Sequence, residues 1–311
     1  MRGPVDVAAA LRSAVSTTVR GKSEAVDLAV ATLLAGGHLL VEDLPGTGKT
    51  LLARSLAAAI GGRFGRVQCT PDLLPTDITG TSVHQPSTGE WQFRPGPLFA
   101  NVVLVDEVNR ASPRTQAALL QPMEEHHVTV DGTTWALPEP FLVIATQNPF
   151  GQIGTFPLPE SQLDRFAMVL SMGLPDRDAE REIVTGRGGV GVLDTVGAVT
   201  SPDELVAVQH AVAHTYVADA IVEYLLDMVA ATRVDGRLSH GVSPRVSSGL
   251  IALARGHAAV EGRDHVIPED VQATFVGACR HRVLVAGRVD TVAAGAVLSD
   301  VLARVPVPRP I

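Results

Sequence analysis

Three short runs of branched apolar residues constrain the fold more than any other feature of the 311-residue chain. HLLV (38–41), VVLV (102–105) and FLVIA (141–145) each stop abruptly at polar residues, namely EDLPGTGKT, DEVNR and TQNP. None alternates polar with apolar positions. Each therefore suits a strand buried on both faces, as in a parallel sheet covered by helices. Ligands of such α/β sheets bind beyond the carboxyl ends of the strands. The three polar clusters are thus expected along one edge of one sheet.

The first cluster has the composition of a phosphate-binding loop. Glycines let backbone N–H groups converge on phosphate oxygens, and the following helix turns its positive end toward the same anion. Pro45, Gly46, Thr47, Gly48, Lys49, Thr50 and Leu51 form the expected nucleotide contact. Lys49 would reach the β- and γ-phosphates of ATP, and the Thr50 hydroxyl would ligate Mg²⁺. Asp43 stands where such loops usually carry their first glycine. A carboxylate facing the phosphates would repel them, so Asp43 is expected to turn outward and cap its own loop backbone. The second cluster adds Asp106, a second candidate Mg²⁺ ligand, and Glu107, a candidate base for an attacking water. The third adds Asn148, whose amide could position that water. Asn148 is also a natural turn residue before Pro149.

The remaining punctuation outlines the organisation. Residues 5–18 and 23–35 read as helices, and TLLARSLAAAIGG follows the loop as a helix closed by glycine. Two hairpin insertions are expected, at 81–93 around PSTG and at 126–137 around Asp131-Gly132. The second register sets Val128 opposite Trp135. Each hairpin carries one of the two tryptophans, Trp91 or Trp135, as a core anchor or as a surface for contact. After a glycine- and valine-rich stretch at 186–199 the pattern is helical, with Ser201-Pro202-Asp203-Glu204, Ser243-Pro244 and Ile267-Pro268-Glu269-Asp270 opening helices. The expected division is an α/β core at 1–175, a linker at 176–194 and an all-helical lid at 195–311.

Charge and composition exclude several functions. A net charge of −8 and an aromatic content of 4% argue against a nucleic-acid partner. Cys69 and Cys279 form no paired motif and read as buried thiols in a reducing compartment. The apolar stretch 25–41 is interrupted by Asp27, Gly36-Gly37 and His38, so no membrane insertion is expected. The N-terminus lacks the apolar core of a signal peptide, which points to the cytoplasm.

LLVEDLPGTGKT, VVLVDEVNRASPRTQAALLQPMEE, FLVIATQNPFGQIGTFPLPESQLDRF and GVSPRVSSGLIALARGHA together resemble the MoxR family of AAA+ ATPases, from about residue 19 to 285. The resemblance implies a P-loop NTPase core, a helical lid and homo-oligomeric rings, commonly hexamers. It implies a chaperone-like role on protein clients, often with a von Willebrand factor A domain partner and sometimes in metal-cofactor insertion. Two arginines acquire roles from it. Arg165, in ESQLDRF, matches the arginine finger that completes a neighbouring subunit's site. Arg245 matches sensor 2, and ATP is expected between core and lid. Arg245 also follows Ser243-Pro244 at a helix start, where a cation opposes the helix dipole unless an anion is bound there. A metal-chelatase motor subunit, a nucleic-acid motor and a nucleotide-gated scaffold share much of this pattern and remain as alternatives.

Overall fold

The computed structural model describes residues 2–148 and 154–308; Pro149 and its turn lie outside them. Two helices, α1 (Pro4–Ser16) and α2 (Ser23–Leu34), lead into β1 (Leu39–Glu42) and α3 (Lys49–Ala59). Then come β2 (Phe64–Gln68), α4 (Pro75–Thr79) and a hairpin of β3 (Gly80–Gln85) and β4 (Glu90–Pro95). The next segment comprises β5 (Val102–Asp106), α5 (Pro113–Glu125) and a second hairpin of β6 (His127–Val130) and β7 (Thr133–Ala136). β8 (Leu142–Gln147), α6 (Glu160–Leu163), β9 (Met168–Leu170) and α7 (Arg177–Val184) complete the core.

The sheet is five-stranded and parallel, in the order β2-β5-β8-β1-β9. Its strands lack polar alternation because both faces are covered. Leu39, Val41, Val102, Leu104, Leu142 and Ile144 face one core, while Leu40, Val103, Val105, Val143 and Ala145 face the other. All three apolar runs are strands of this sheet, and their polar ends share its carboxyl edge. Both hairpins form, with Val128 opposite Trp135 as the Asp-Gly turn requires. Neither tryptophan is fully buried. Trp91 is 71% exposed, and Trp135 stacks on Phe93 of the other hairpin with ring centroids 4.5 Å apart.

Beyond a 3-10 segment at Gly189–Thr195 the lid comprises α8 (Pro202–Val212), α9 (Asp219–Val234), α10 (Pro244–Val260), α11 (Pro268–Cys279) and α12 (Thr291–Arg304). A short antiparallel ladder, β10 (Leu238–His240) with β11 (Leu284–Val285), joins two of its loops. Each expected cap opens its helix, but in different ways. Ser201 accepts from the Glu204 N–H, and Asp270 accepts from the Ile267 N–H, whereas the Ser243 hydroxyl makes no cap bond. The lid shares one continuous hydrophobic core with α1, α2 and a sheet face. Its α10 lies so close on α2 that a Cβ on Gly256 would fall 2.3 Å from the Ala31 carbonyl oxygen. Among the described residues no helix is long and apolar enough to cross a membrane.

Candidate active site

The phosphate loop leaves β1 at its carboxyl end and runs into α3. Gly46 (φ 86°) and Gly48 (φ 97°) occupy the left-handed region, which glycine enters without steric cost. Asp43 departs from expectation. It is 8% exposed and turns away from its own loop toward the segment following β9. Its carboxylate accepts from the Ser171 hydroxyl at 2.9 Å, from the Met172 N–H, and from the Gly173 N–H at 3.2 and 3.3 Å. It therefore ties two adjacent strand ends together rather than capping the loop. Its backbone has no positive φ.

Lys49 folds back over the loop, donating to the Asp43 carbonyl at 3.0 Å and the Leu44 carbonyl at 2.8 Å. Burial lowers the pKa of this ammonium, and the nearby Asp43, Asp106 and Glu107 charges oppose that shift. An arriving polyphosphate would exchange these two neutral carbonyl acceptors for anionic oxygens, adding the attraction between opposite charges.

Asp106 and Glu107 end β5 at the same edge. Arg66 of β2 reaches one oxygen of Asp106 with Nε at 2.9 Å and Nη2 at 2.8 Å. Glu107 adopts a left-handed backbone (φ 55°, ψ 52°), uncommon for a non-glycine residue. Its N–H donates to the Thr146 hydroxyl at 2.9 Å, and its carboxylate accepts from Arg110 at 2.7 Å. Asn148 follows β8 and lines a cleft of about 470 Å³ with Glu42, Asn109, Gln147 and residues 288–292. Thr50 and Asp106 offer hard oxygen donors suited to Mg²⁺. No cluster of three His, Cys, Asp or Glu among the described residues could hold a metal. That donor set fits an ion that takes one or two protein oxygens and completes its shell with water and phosphate.

A second cleft, of about 360 Å³, opens beside the loop. Gly46 to Leu51 form one wall; the α1–α2 turn (Thr18 to Arg20, with Lys22) and Pro175, Ile183, Gly189 and Val190 form the others. The lid beyond residue 195 contributes nothing to it. The α1–α2 turn and the segment after β9 close this cleft, whereas lid residues 288–292 line the Asn148 cleft at the neighbouring strand ends.

Arg245 lies away from this loop within the chain. It binds Glu124 and lies 3.4 Å from Asp164, and Arg165 reaches the same Glu124 at 2.7 Å. This cluster sits at the opposite edge of the sheet. The Met123 carbonyl, beside Glu124, bonds His38 at 3.1 Å, and the Ala167 N–H, two residues past Arg165, donates to the His38 carbonyl at 2.9 Å. His38 immediately precedes β1, whereas the phosphate loop follows it. The four-residue strand separates the two ends by roughly 13 Å. How the lid docks decides where Arg245 lies, and no local pattern at SPR records it. Thr146, Arg66 and Arg110 were missed as supports of the acidic pair. Thr146 and Arg110 stand inside the motifs, but their partners are tertiary.

Known proteins share these features. The chain matches the family described as ATPase family associated with various cellular activities (AAA) over residues 38–168, and an AAA lid domain over 230–301. It is 40% identical to Chaperone MoxR1 of Mycobacterium tuberculosis over 95% of this chain and 81% of that one. It is 42% identical to YeaC of Bacillus subtilis, covering 93% of this chain and 91% of the relative. Protein MoxR of Methylorubrum extorquens is 32% identical over 89% and 88% of the two chains. A crystal structure from Cytophaga hutchinsonii superposes with a TM-score of 0.86 at 30% identity, covering 98% of this chain and 96% of that one. The parallel sheet with its phosphate loop, the acidic pair at the next strand end and these full-length relatives lead to one assignment: the chain belongs to the MoxR family of AAA+ ATPases.

Proposed function

We propose that the protein hydrolyses ATP with Mg²⁺ in a site shared between adjacent subunits of a homo-oligomeric ring, commonly a hexamer in this family. Nucleotide enters the cleft between the phosphate loop, the α1–α2 turn and the linker. Lys49 and the N–H groups at Gly46 to Leu51 hold the phosphates. Thr50 and Asp106 would hold Mg²⁺, which would supply charge neutralisation to the phosphates. Glu107 leaves Arg110 to orient and deprotonate the attacking water, and Asn148 helps position it. Arg165 and Arg245 are delivered to the neighbouring subunit, where planar cations stabilise charge spreading over the transferred phosphoryl group.

One observation carries the shared site. Arg165 and Arg245 meet at the amino edge of the sheet, across β1 from their own phosphate loop. Neither serves its own loop in this arrangement, whereas a head-to-tail ring sets one sheet edge against the next subunit's cleft. Mixing subunits tests the reading. Arg165→Ala and Glu107→Gln proteins, each inactive alone, regain phosphate release when co-assembled, because one supplies an intact base and the other an intact finger. Confirmed mixed rings with no recovery would refute the shared site.

The work done by hydrolysis is proposed to be chaperone-like remodelling or activation of a protein client, as the name of the mycobacterial relative suggests. A von Willebrand factor A domain protein would present the client, and the setting would be cytoplasmic. Capture on the Glu107→Gln protein with ATP tests both. Nucleotide-dependent retention of a protein supports the proposal; retention of nucleic acid alone would refute it.

A further inference from the structure

Glu124 does more than end a helix. It stands in the last turn of α5, and each of its two carboxylate oxygens takes a different guanidinium. Arg165 Nη1 lies 2.7 Å from Oε2, and Arg245 binds Oε1. The Arg245 bond, the largest cause, holds the Glu124 carboxyl below the usual carboxylate range. Arg165 comes from the core and Arg245 from the start of lid helix α10, so one side chain gathers a cation from each part. Neighbouring charges are already engaged: Asp164 lies 3.4 Å from Arg245 and takes Arg282 at 2.9 Å. Arg165 also donates to the Leu120 carbonyl at 3.0 Å, while its Nε is buried without a partner.

A carboxylate offering separate oxygens to two guanidinium groups presents them with the charge pattern of a terminal phosphate. We propose that Glu124 is a positioning residue that occupies Arg165 and Arg245 in place of the γ-phosphate of a neighbouring subunit. It thereby sets how much nucleotide must be bound before the two arginines transfer. The inference rests on the reading that these arginines serve the next subunit's site. The side chains of Glu124 (38% exposed) and Arg245 (68% exposed) are partly solvated, so the contact is exchangeable rather than locked. The more highly charged phosphate displaces the carboxylate. Because Glu124 also bridges core to lid, displacement breaks one core–lid ion pair in the same step, while Asp164 keeps Arg282.

Mixed rings isolate this role. Arg165→Ala subunits supply pockets with an intact base, and Glu107→Gln subunits supply the arginines, so phosphate release comes only from junctions between the two. The arginine donor is compared with and without Glu124→Gln. With the competing charge removed, half-saturation falls to about one third of its ATP concentration, the scale set by a partly exposed ion pair, and the maximal rate does not fall. Glu124→Asp, one methylene shorter, cannot span both arginines and shifts half-saturation in the same direction. It carries the test if the glutamine variant does not fold. Unchanged or raised half-saturation with both variants, in rings of verified assembly, overturns the inference. If the donor with Glu124 intact gives no turnover in verified mixed rings, the shared-site reading fails first. Weakened lid packing alone would not produce tighter apparent nucleotide use at an undiminished rate.

Discussion

Replacing Asp43 by glycine restores the residue most phosphate loops carry at that position, yet it should destabilise this protein. The Asp43 carboxylate is 8% exposed and satisfies three donors, the Ser171 hydroxyl and the N–H groups of Met172 and Gly173. Hydrogen bonds to a charged group contribute roughly 1.5–3 kcal/mol each, and they do not sum when they share one acceptor. Leaving two backbone N–H groups without an acceptor adds a desolvation cost, and glycine loses roughly 0.5–1 kcal/mol more in chain entropy. Together these give about 3–5 kcal/mol for Asp43→Gly. Asp43→Asn keeps one acceptor oxygen and should cost about 1–2 kcal/mol. On the usual scaling for a chain of this size, the glycine variant should melt roughly 5–8 °C lower. Urea unfolding followed by circular dichroism, without nucleotide, measures both variants. Asp43→Gly within about 1 kcal/mol of the parent would mean that water replaces the carboxylate, and the reasoning that Asp43 ties β1 to β9 would be wrong.

Three further outcomes are expected. Burial pushes the His38 imidazole down to about 4 from an ordinary 6.5; its Nδ1 accepts from the Val143 N–H at 3.1 Å and so resists a proton. Below pH 6.5 the unfolded chain takes up the proton that the folded one refuses. Stability from this group is therefore complete above about pH 7 and falls by about 3 kcal/mol between 6.5 and 4. The fall in urea midpoint should shrink in His38→Gln; an identical fall in both proteins removes His38 as its cause. Gly256→Ala puts a methyl 2.3 Å from the Ala31 carbonyl oxygen and should cost about 2–3 kcal/mol or more; an unchanged melting temperature would show that α10 can shift freely. Glu107→Gln should keep ATP binding, measured with a fluorescent analogue, while phosphate release falls at least about 100-fold; substantial residual turnover would take the base role from Glu107.

Much of the fold was legible because its signals are local. Non-alternating apolar runs marked the central strands β1, β5 and β8, and Asp131-Gly132 marked both the second hairpin and its register. β2 and β9 escaped notice for physical reasons. FGRVQ carries a glycine and, at the sheet edge, an arginine turned toward Asp106, and β9 has only three residues. The catalytic motifs were visible, but the partners of their side chains were not. Asp43 meets residues 171–173, and Arg245 meets Glu124, through tertiary docking without a local pattern. The same lack of a local pattern explains why the α1–α2 turn was not recognised as a wall of the cleft beside the phosphate loop.

The close approach at Gly256 makes a lever of the lid. With the Ala31 carbonyl occupying the space of a side chain, α10 has no clearance to slide along α2. Torque applied to the lid therefore passes into α2, whose first residue, Ser23, directly follows the turn lining the cleft. A shift of the α1–α2 turn would therefore reach the lid through α2, although no lid residue lines the cleft beside the phosphate loop.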